Sequence, residues 1–557
     1  MQTLLKETAR GLSPRQFYAR GGEMKIGLVP DDVLLVTRAA PEPGLEEEWG
    51  PGFVRVVPDE AFNDPGFADR DLSSRSNVDT TVFLDKKRTI RLRRPFVSSP
   101  MLDVTGAKLA IALGKVGGAG IIHRAQSTHE EAREVSEVKN AMGYIFEHPP
   151  TLPLTATVFD AREKMNQSQR GLVVITDGDN RVLRVVTRRN VKRDIVPQDL
   201  PLSQLPTIKK GRKVITVTSD IDTSDPFSIY VRTRDKGRKV LATTLMWKND
   251  IEKLVVVDSE NRLIGAITDY DLREIRENPN ASVDNKGRLV VGAAIGIGGN
   301  YLQRAEELVA AGADFLCIDV ANAYLKTVRF AMYQLKKRFP NIVLMVGSNA
   351  TRQGVRILKD SRDGTRVLVD EGADVIRNHI GSGSICITRG VSGFGYPSIT
   401  STFEVADEAD KYGIPVVADG GIRYSSDVAK FIAAGATAVM LGRLFAATEE
   451  GNGDLIIDDD TKVRMRSYRG MASEDVRRRL DEAEGRQVTA FSKKPEGVPR
   501  KVVIIGSVAD VVRDLTLGLQ SGATYGGVAN LDQFRNEIDF IRGTASTQAE
   551  NNVQVFP

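Results

Sequence analysis

The chain is predicted to be an α/β protein whose main body is a (β/α)8 TIM barrel with a smaller module inserted into it. Three observations carry that prediction. Short apolar runs alternate with longer amphipathic stretches over most of the sequence, eight times in all. Stretches with apolar residues at helical spacing end in glycine, a helix-stop signal. The rhythm breaks once, where roughly 160 residues of different character separate the second and third runs, far too many for a barrel connection.

In chain order the candidate strands are "PFVSSPM" (95–101), "AGIIHR" (119–124), "LVVGAAIG" (289–296), "FLCIDV" (315–320), "NIVLMVG" (341–347), "DVIRNHIG" (374–381), "PVVADGG" (415–421) and "AVMLGRL" (438–444). "YLQRAEELVAAG" (301–312) and "SSDVAKFIAAG" (425–435) are the clearest helices between them. A doubly wound open sheet has the same period and is the alternative. Ahead of the first run, "LVPDDVLLV" (28–36) leads toward the barrel and "APEPGLEEEWGPG" (40–52) is acidic and turn-rich. Residues 1–94 are therefore an extension packed on the barrel, with no visible chemistry.

The long interruption holds a duplication. "RGLVVITDGDNRVLRVVTRRNVKRDI" (170–195) and "EKLVVVDSENRLIGAITDYDLREI" (252–275) each read as strand, acidic turn, strand, then Thr or Asp at the start of a charged helix. The two units resemble a pair of CBS domains. That resemblance implies a regulatory module over 146–278, binding a purine nucleotide and splitting the barrel into 95–145 and 279–557.

Composition excludes several classes. Lys plus Arg exceeds Asp plus Glu by 77 − 73 = 4, with no basic block, which argues against nucleic acid. Two cysteines make no disulfide framework, and no Cys/His cluster has zinc spacing. The first residues include Glu7 and lack an apolar signal core, and no apolar run approaches ~18 residues, so a cytoplasmic protein without a membrane partner is expected.

Barrel chemistry sits on the loops after the strands, with phosphate often held after the seventh and eighth. Here those loops read "ADGGIRYSSD" (418–427) and "MLGR" (440–443). Glycine lets backbone N–H groups approach a phosphate, and the following helix N-terminus favours the anion. Arg443 stands beside Gly442, and Asp419 is placed to hydrogen-bond the hydroxyls of an attached sugar. The sixth loop, "GSGSICITRG" (381–390), presents Cys386 among small residues, with Thr388 as a hydroxyl relay and Arg389 near the thiol. Cys317, inside "FLCIDV", reads as an inert core residue.

"GSGSICITR" followed by "GFGYP", "VADGGIRYSSDVAKFIAAGATAVMLG", "YRGMAS" (468–473), "SSPMLDVTGAKLAIALGKVGGAGIIHR" (98–124) and "DNKGRLVVGAAIG" (284–296) together resemble the IMP dehydrogenase / GMP reductase family. The resemblance implies a homotetramer or octamer acting on a purine nucleoside monophosphate through attack of Cys386 on purine C2, assisted by Thr388. By motif match Ser384, Gly421 and Gly442 hold phosphate, Asp419 holds ribose, and Ser99 and Met101 line the nucleotide site. Tyr468, Gly470, Met471 and Glu496 complete the phosphate and base contacts. Asp319, Asn322 and Ala323 face the nicotinamide. Carbonyls of Gly381, Gly383 and Cys386 match a loop that holds K+.

The two branches of that family share the covalent intermediate and differ in how it is consumed. The dehydrogenase oxidises IMP with NAD and hydrolyses the intermediate to XMP, using an Arg-Tyr pair on a flap. The reductase expels ammonia from GMP and takes hydride from NADPH, using a Thr–Glu pair. "CIDVANAYL" (317–325) and Glu474 in "MASEDV" (471–476) resemble the reductase, and the flap carries Arg486 and Gln487 instead of Arg-Tyr. The CBS-like pair and the long flap resemble the dehydrogenase. The leading expectation is GMP reductase with NADPH, with IMP dehydrogenase and a non-catalytic purine-nucleotide sensor as alternatives. Three departures stand out: Leu102 where the family has an acid, His379 ahead of the cysteine loop, and an insertion at 361–372.

Overall fold

The computed structural model describes residues 29–35 and 75–543, apart from 169, 193–194, 207–213, 223–228, 235–236, 360, 364–365, 370–371 and 486–493. The stretch 40–52, Arg486 with Gln487, and the last five residues lie outside the described residues.

All eight candidate runs form strands: β1 (Phe96–Ser98), β2 (Gly120–Ile122), β3 (Val291–Ile295), β4 (Phe315–Asp319), β5 (Val343–Asn349), β6 (Val375–Asn378), β7 (Val416–Asp419) and β8 (Ala438–Leu441). Each pairs in parallel with its neighbours in chain order, and β8 returns to β1. A parallel bridge between Val97 and Ala119 joins β1 to β2, which makes a barrel and excludes the open sheet. Every residue of β3 and β5 is buried. A strand with helices outside and packed side chains inside has no wet face, so its sequence is a continuous apolar run.

The helices follow the same logic. Ser425–Ala433 buries Val428, Ala429, Phe431 and Ile432. It stops at Gly435, whose φ of +108° lets Ala436 N–H reach back to the Phe431 carbonyl at 3.0 Å. Outside the barrel, Val33–Leu35 pairs antiparallel with Phe540–Arg542, and Lys430 donates to the Pro30 carbonyl at 2.9 Å. The extension is thereby tied to the helix that follows β7. The insertion forms an antiparallel pair of strands, Ser361–Asp363 with Arg366–Val369.

Residues Asn140–Pro279 with Asn285–Arg288 form a compact unit of their own. It contains two antiparallel hairpins, Leu172–Thr176 with Val182–Thr187 and Lys253–Val257 with Leu263–Thr268. The turns are built alike: Asp177 accepts from Arg181 N–H and Asp258 from Arg262 N–H, each at 2.8 Å, and Asn180 and Asn261 both have positive φ. The hairpins meet reciprocally. Val182 N–H donates to the Asn261 carbonyl at 3.0 Å and Leu263 N–H to that of Asn180 at 2.9 Å, a local two-fold relation that the duplication predicts. One expectation fails. The second repeat continues into the helix Asp269–Glu277, capped by Thr268, whereas the first continues into a turn after Thr187. Of residues 188–192, Val191 alone is a buried apolar anchor, too little for an amphipathic stripe. Among the described residues no helix is long and apolar enough to cross a membrane.

Candidate active site

The carboxyl ends of the barrel strands open into a cleft of about 1290 Å³. Single-ligand pockets run to roughly 1,000 Å³, so the space suits a nucleotide together with a dinucleotide. Every catalytic and substrate-contact residue expected from the sequence lines it: Cys386, Thr388 and Glu474, with Ser99, Met101, Ser384, Asp419, Gly421, Gly442, Arg443, Tyr468, Gly470, Met471 and Glu496. Asp319, Gly381 and Gly383 line it as well. Asn322 and Ala323 do not. Asn322 is exposed and its Oδ1 accepts from Tyr324 N–H at 2.9 Å, while Ala323 is wholly buried behind β4.

Cys386 is half-buried, and its Sγ lies 3.1 Å from Thr388 Oγ1. Thr388 in turn donates to Glu496 Oε2 at 2.8 Å. Backbone pairing sets this geometry: Ile387 N–H bonds the Glu496 carbonyl at 2.8 Å, Val498 N–H bonds that of Ile385 at 3.1 Å, and Cys386 bridges Gly497. The carboxylate joined to the thiol is thus Glu496, which the motif match puts among the substrate contacts. Glu474, expected in that place, starts the helix Glu474–Ala483 and faces the same cleft without bonding Thr388. Its spot in the first turn also suits the helix dipole. Cys317 is fully buried and burial pushes its thiol up to about 12, so it is inert at neutral pH.

A second corner of the cleft forms around Gly442 and Tyr468. A β-carbon on Gly442 would lie 3.0 Å from the Tyr468 hydroxyl and 3.6 Å from Met101 Sδ, so glycine keeps the space open. Burial pushes the Tyr468 phenol up to about 12, and the group, bonded to Ser384, stays a donor. Asp103 accounts for the departure at Leu102. Its buried carboxylate accepts from Arg469 N–H at 2.7 Å and grips the Arg469 guanidinium at 2.6 and 2.8 Å, fixing the segment that carries Tyr468 and Gly470. Leu102 instead packs with Ala125, Val476 and Leu480.

Across the barrel mouth, charges alternate from Glu484 to Arg124, Asp319, Arg377 and Asp419. Arg124 pairs with Glu484 and bonds the Asp319 carbonyl at 3.3 Å. Arg377 donates to Asp319 Oδ1 at 2.6 Å and to Asp419 Oδ2 at 2.9 Å. Burial opposes ionisation of Asp319, but Arg377 and Arg124 outweigh it and hold the carboxyl below its usual range. Burial likewise works against charge on Arg377, and Asp419 and Asp319 override it. Asp419 Oδ1 has no hydrogen-bond partner among the described residues, so it is free for a sugar hydroxyl.

His379 stands at the end of β6. Its Nδ1 lies 2.7 Å from the Asp419 carbonyl and 2.6 Å from Ser382 Oγ, and Ser382 bonds the same carbonyl at 2.9 Å. Burial holds the ring below the usual histidine range. Gly420, at φ +81°, passes so close that a β-carbon would meet the ring at 3.1 Å.

Sequence reasoning missed Arg124, Arg377 and residues 29–31 of the extension, which line the cleft, and Asp103, which lies behind it on Arg469. An arginine inside the apolar run of β6 was a usable signal. The others had none, because their partners are hundreds of residues away. Among the described residues no group of three or more His, Cys, Asp or Glu side chains could hold a metal ion.

Comparison with known proteins places these features. Residues 65–554 match the family model "IMP dehydrogenase / GMP reductase domain". The chain is 35% identical over 534 residues to the inosine-5′-monophosphate dehydrogenase of Aquifex aeolicus, covering 95% of this chain and 96% of that protein. It is 32% identical to the enzyme of the same name from Nitrosopumilus maritimus, over 95% and 98%. Among solved structures it resembles a cysteine-to-alanine variant of GMP reductase from Trypanosoma brucei in complex with guanosine 5′-monophosphate. The TM-score is 0.78 at 28% identity, covering 97% of this chain and all of that one. The GMP reductase of the same organism in complex with guanosine 5′-triphosphate matches with a TM-score of 0.68 at 26% identity.

Proposed function

The chain belongs to the IMP dehydrogenase / GMP reductase family of purine nucleotide oxidoreductases, and on that premise we propose that it reduces GMP to IMP and ammonia with NADPH. One observation carries this reading: the unbroken path from Cys386 Sγ through Thr388 Oγ1 to Glu496 Oε2. Reductive deamination needs a thiol proton delivered to a leaving amine, and a hydroxyl-to-carboxylate relay does that. The Arg486-Gln487 dipeptide in place of Arg-Tyr supports the same choice, since no water has to be activated.

In this mechanism the Cys386 thiol passes its proton to the Thr388–Glu496 relay and the thiolate attacks purine C2. The C2–N bond breaks, and the amine takes the proton and leaves as ammonia. NADPH held on the Asp319 side of the cleft would supply the hydride that C2 takes. The C–S bond then breaks, its electron pair returns to sulfur, and the relay restores the proton from solvent. Ser384, Gly421, Gly442 and Tyr468 hold the phosphate, and Asp419 Oδ1 holds the ribose. Asp319, already fixed by Arg377, orients the nicotinamide side. Loop carbonyls of Gly381, Gly383 and Cys386 would hold K+, a cation suited to carbonyl ligands. The duplicated unit is a CBS pair that binds a regulatory purine nucleotide, and the assembly is built on a tetramer.

The expected result is NADPH consumption with GMP and formation of IMP and ammonia. Reduction of NAD with IMP and release of XMP would overturn it in favour of an IMP dehydrogenase. That second reading is favoured by the names of the relatives at 32–35% identity. A further prediction separates the two carboxylates. Glu496→Gln should lower kcat by about 10²–10³, the range for loss of a general acid–base, with GMP affinity changed little. Glu474→Gln should cost much less. The reverse order would return the proton role to Glu474.

A further inference from the structure

The proton relay uses one side of the cleft and leaves a polar nitrogen on the other without a task. The Asp419 carbonyl oxygen can only accept, so at 2.7 Å the His379 Nδ1 must carry the ring's proton. In the neutral ring Nε2 then holds a bare lone pair. Among the described residues Nε2 has no hydrogen-bond partner, although the half-buried ring lines the cleft. The charged groups around it are already committed. Arg377 is held by Asp319 and Asp419, and Arg389 donates to the Tyr396 carbonyl. Ser382 is engaged by the Asp419 carbonyl. An acceptor on the cleft wall with no protein donor is open to a donor carried by a bound molecule.

We propose that His379 is a ligand-reading residue, whose Nε2 accepts a hydrogen bond from an amide or amino N–H of a molecule bound in the cleft. The chemistry of the donor is a planar N–H₂ group, carried by the carboxamide of a nicotinamide and by the 2-amino group of a guanine nucleotide. The ring stands against the Gly420 turn and close to the cysteine: a β-carbon on Gly383 would lie 3.4 Å from Cys386 Cβ and 3.8 Å from His379 Cε1. The inference rests on the purine oxidoreductase reading of the cleft and deepens it, because a residue that senses N–H₂ selects among ligands of equal shape.

Two substitutions separate this from a scaffold role. Asparagine places its amide N–H near the position of Nδ1, so His379→Asn keeps the clamp on Asp419 and removes the acceptor. Glutamine reaches the position of Nε2, so His379→Gln restores an acceptor and loses the clamp. Dissociation constants for GMP, IMP, NADPH and NAD, measured by isothermal titration, need no turnover and do not depend on the direction of the reaction. Expected is a weakening of at least about tenfold, for the nucleotide with an amino group or for the dinucleotide, in His379→Asn, with His379→Gln closer to wild type. The dinucleotide analogue bearing acetyl in place of carboxamide has no N–H to give. If the dinucleotide is the partner, wild type should bind this analogue as weakly as His379→Asn does. If GMP is the partner, the loss should appear with GMP and be absent with IMP. Equal binding of all ligands by wild type and His379→Asn would overturn the proposal, as would equal impairment of both variants. Where His379→Asn melts well below wild type, the GMP/IMP and carboxamide/acetyl comparisons in the wild-type protein decide alone: no discrimination in either pair overturns it. Failure of wild type to bind any purine nucleotide would instead overturn the function proposed above.

Discussion

Cys386→Ala is expected to reduce turnover by on the order of 10⁴-fold or more while leaving GMP binding and the thermal midpoint near wild type. Loss of a covalent nucleophile has an effect of that size because the relay is left with no group to activate. The fold should not notice. Cys386 is half-buried in a loop, and the bonds that shape the loop are backbone ones, from Cys386 N–H to the Gly383 carbonyl at 3.0 Å and from Val498 N–H to Ile385 at 3.1 Å. Steady-state rates with titrated GMP affinity make the check. Residual activity within tenfold of wild type would remove covalent catalysis from the mechanism. The companion variant Cys317→Ala should keep its rate and lose stability, since that side chain is fully buried in the barrel.

Arg377→Met is expected to be the most destabilising single change in the cleft, by about 3–5 kcal/mol. Methionine keeps much of the apolar stem but strands two carboxylates, half-buried Asp319 and buried Asp419, that the guanidinium now bonds at 2.6 and 2.9 Å. Chemical denaturation measures the loss, and a difference under about 1 kcal/mol would show that solvent or Arg124 already compensates the pair. Activity offers a second reading through Arg377→Lys, which retains charge and loses the fork. Its dinucleotide and nucleotide KM values should both rise, because the fork is what aligns Asp319 with Asp419. The pH dependence has a defined sign. Asp319 is held below its usual carboxyl value, so its pairing stabilises the fold above the unfolded value of about 4 and is lost as pH falls further.

Much of this protein was legible in its sequence. The eight apolar runs became the eight barrel strands, because a strand buried on both faces must be apolar throughout, a local property. The duplicated hairpins were visible because each turn repeats Asp and Asn at fixed offsets, and those residues make the turn by bonding their own backbone. The cysteine loop and the glycine loops that line the cleft were visible because the loops after barrel strands gather at one end. What the sequence hid was pairing at a distance. Glu474 stood near the right motif, yet Glu496 reaches Thr388, because residues 496–498 pair with the cysteine loop across the 108 positions between Thr388 and Glu496. The acid that grips Arg469 is Asp103, 366 positions away, and the carboxylates that hold Arg377 come from β4 and β7. The lone pair on His379 is defined only by the carbonyl of Asp419 on the neighbouring strand. The sequence by itself determined the barrel strands and the end of the barrel that opens into the cleft, because periodicity and turn residues act within a few positions. Tertiary structure alone decided which side chain answers which, because a hydrogen bond depends on a few ångströms in space that no spacing along the chain encodes.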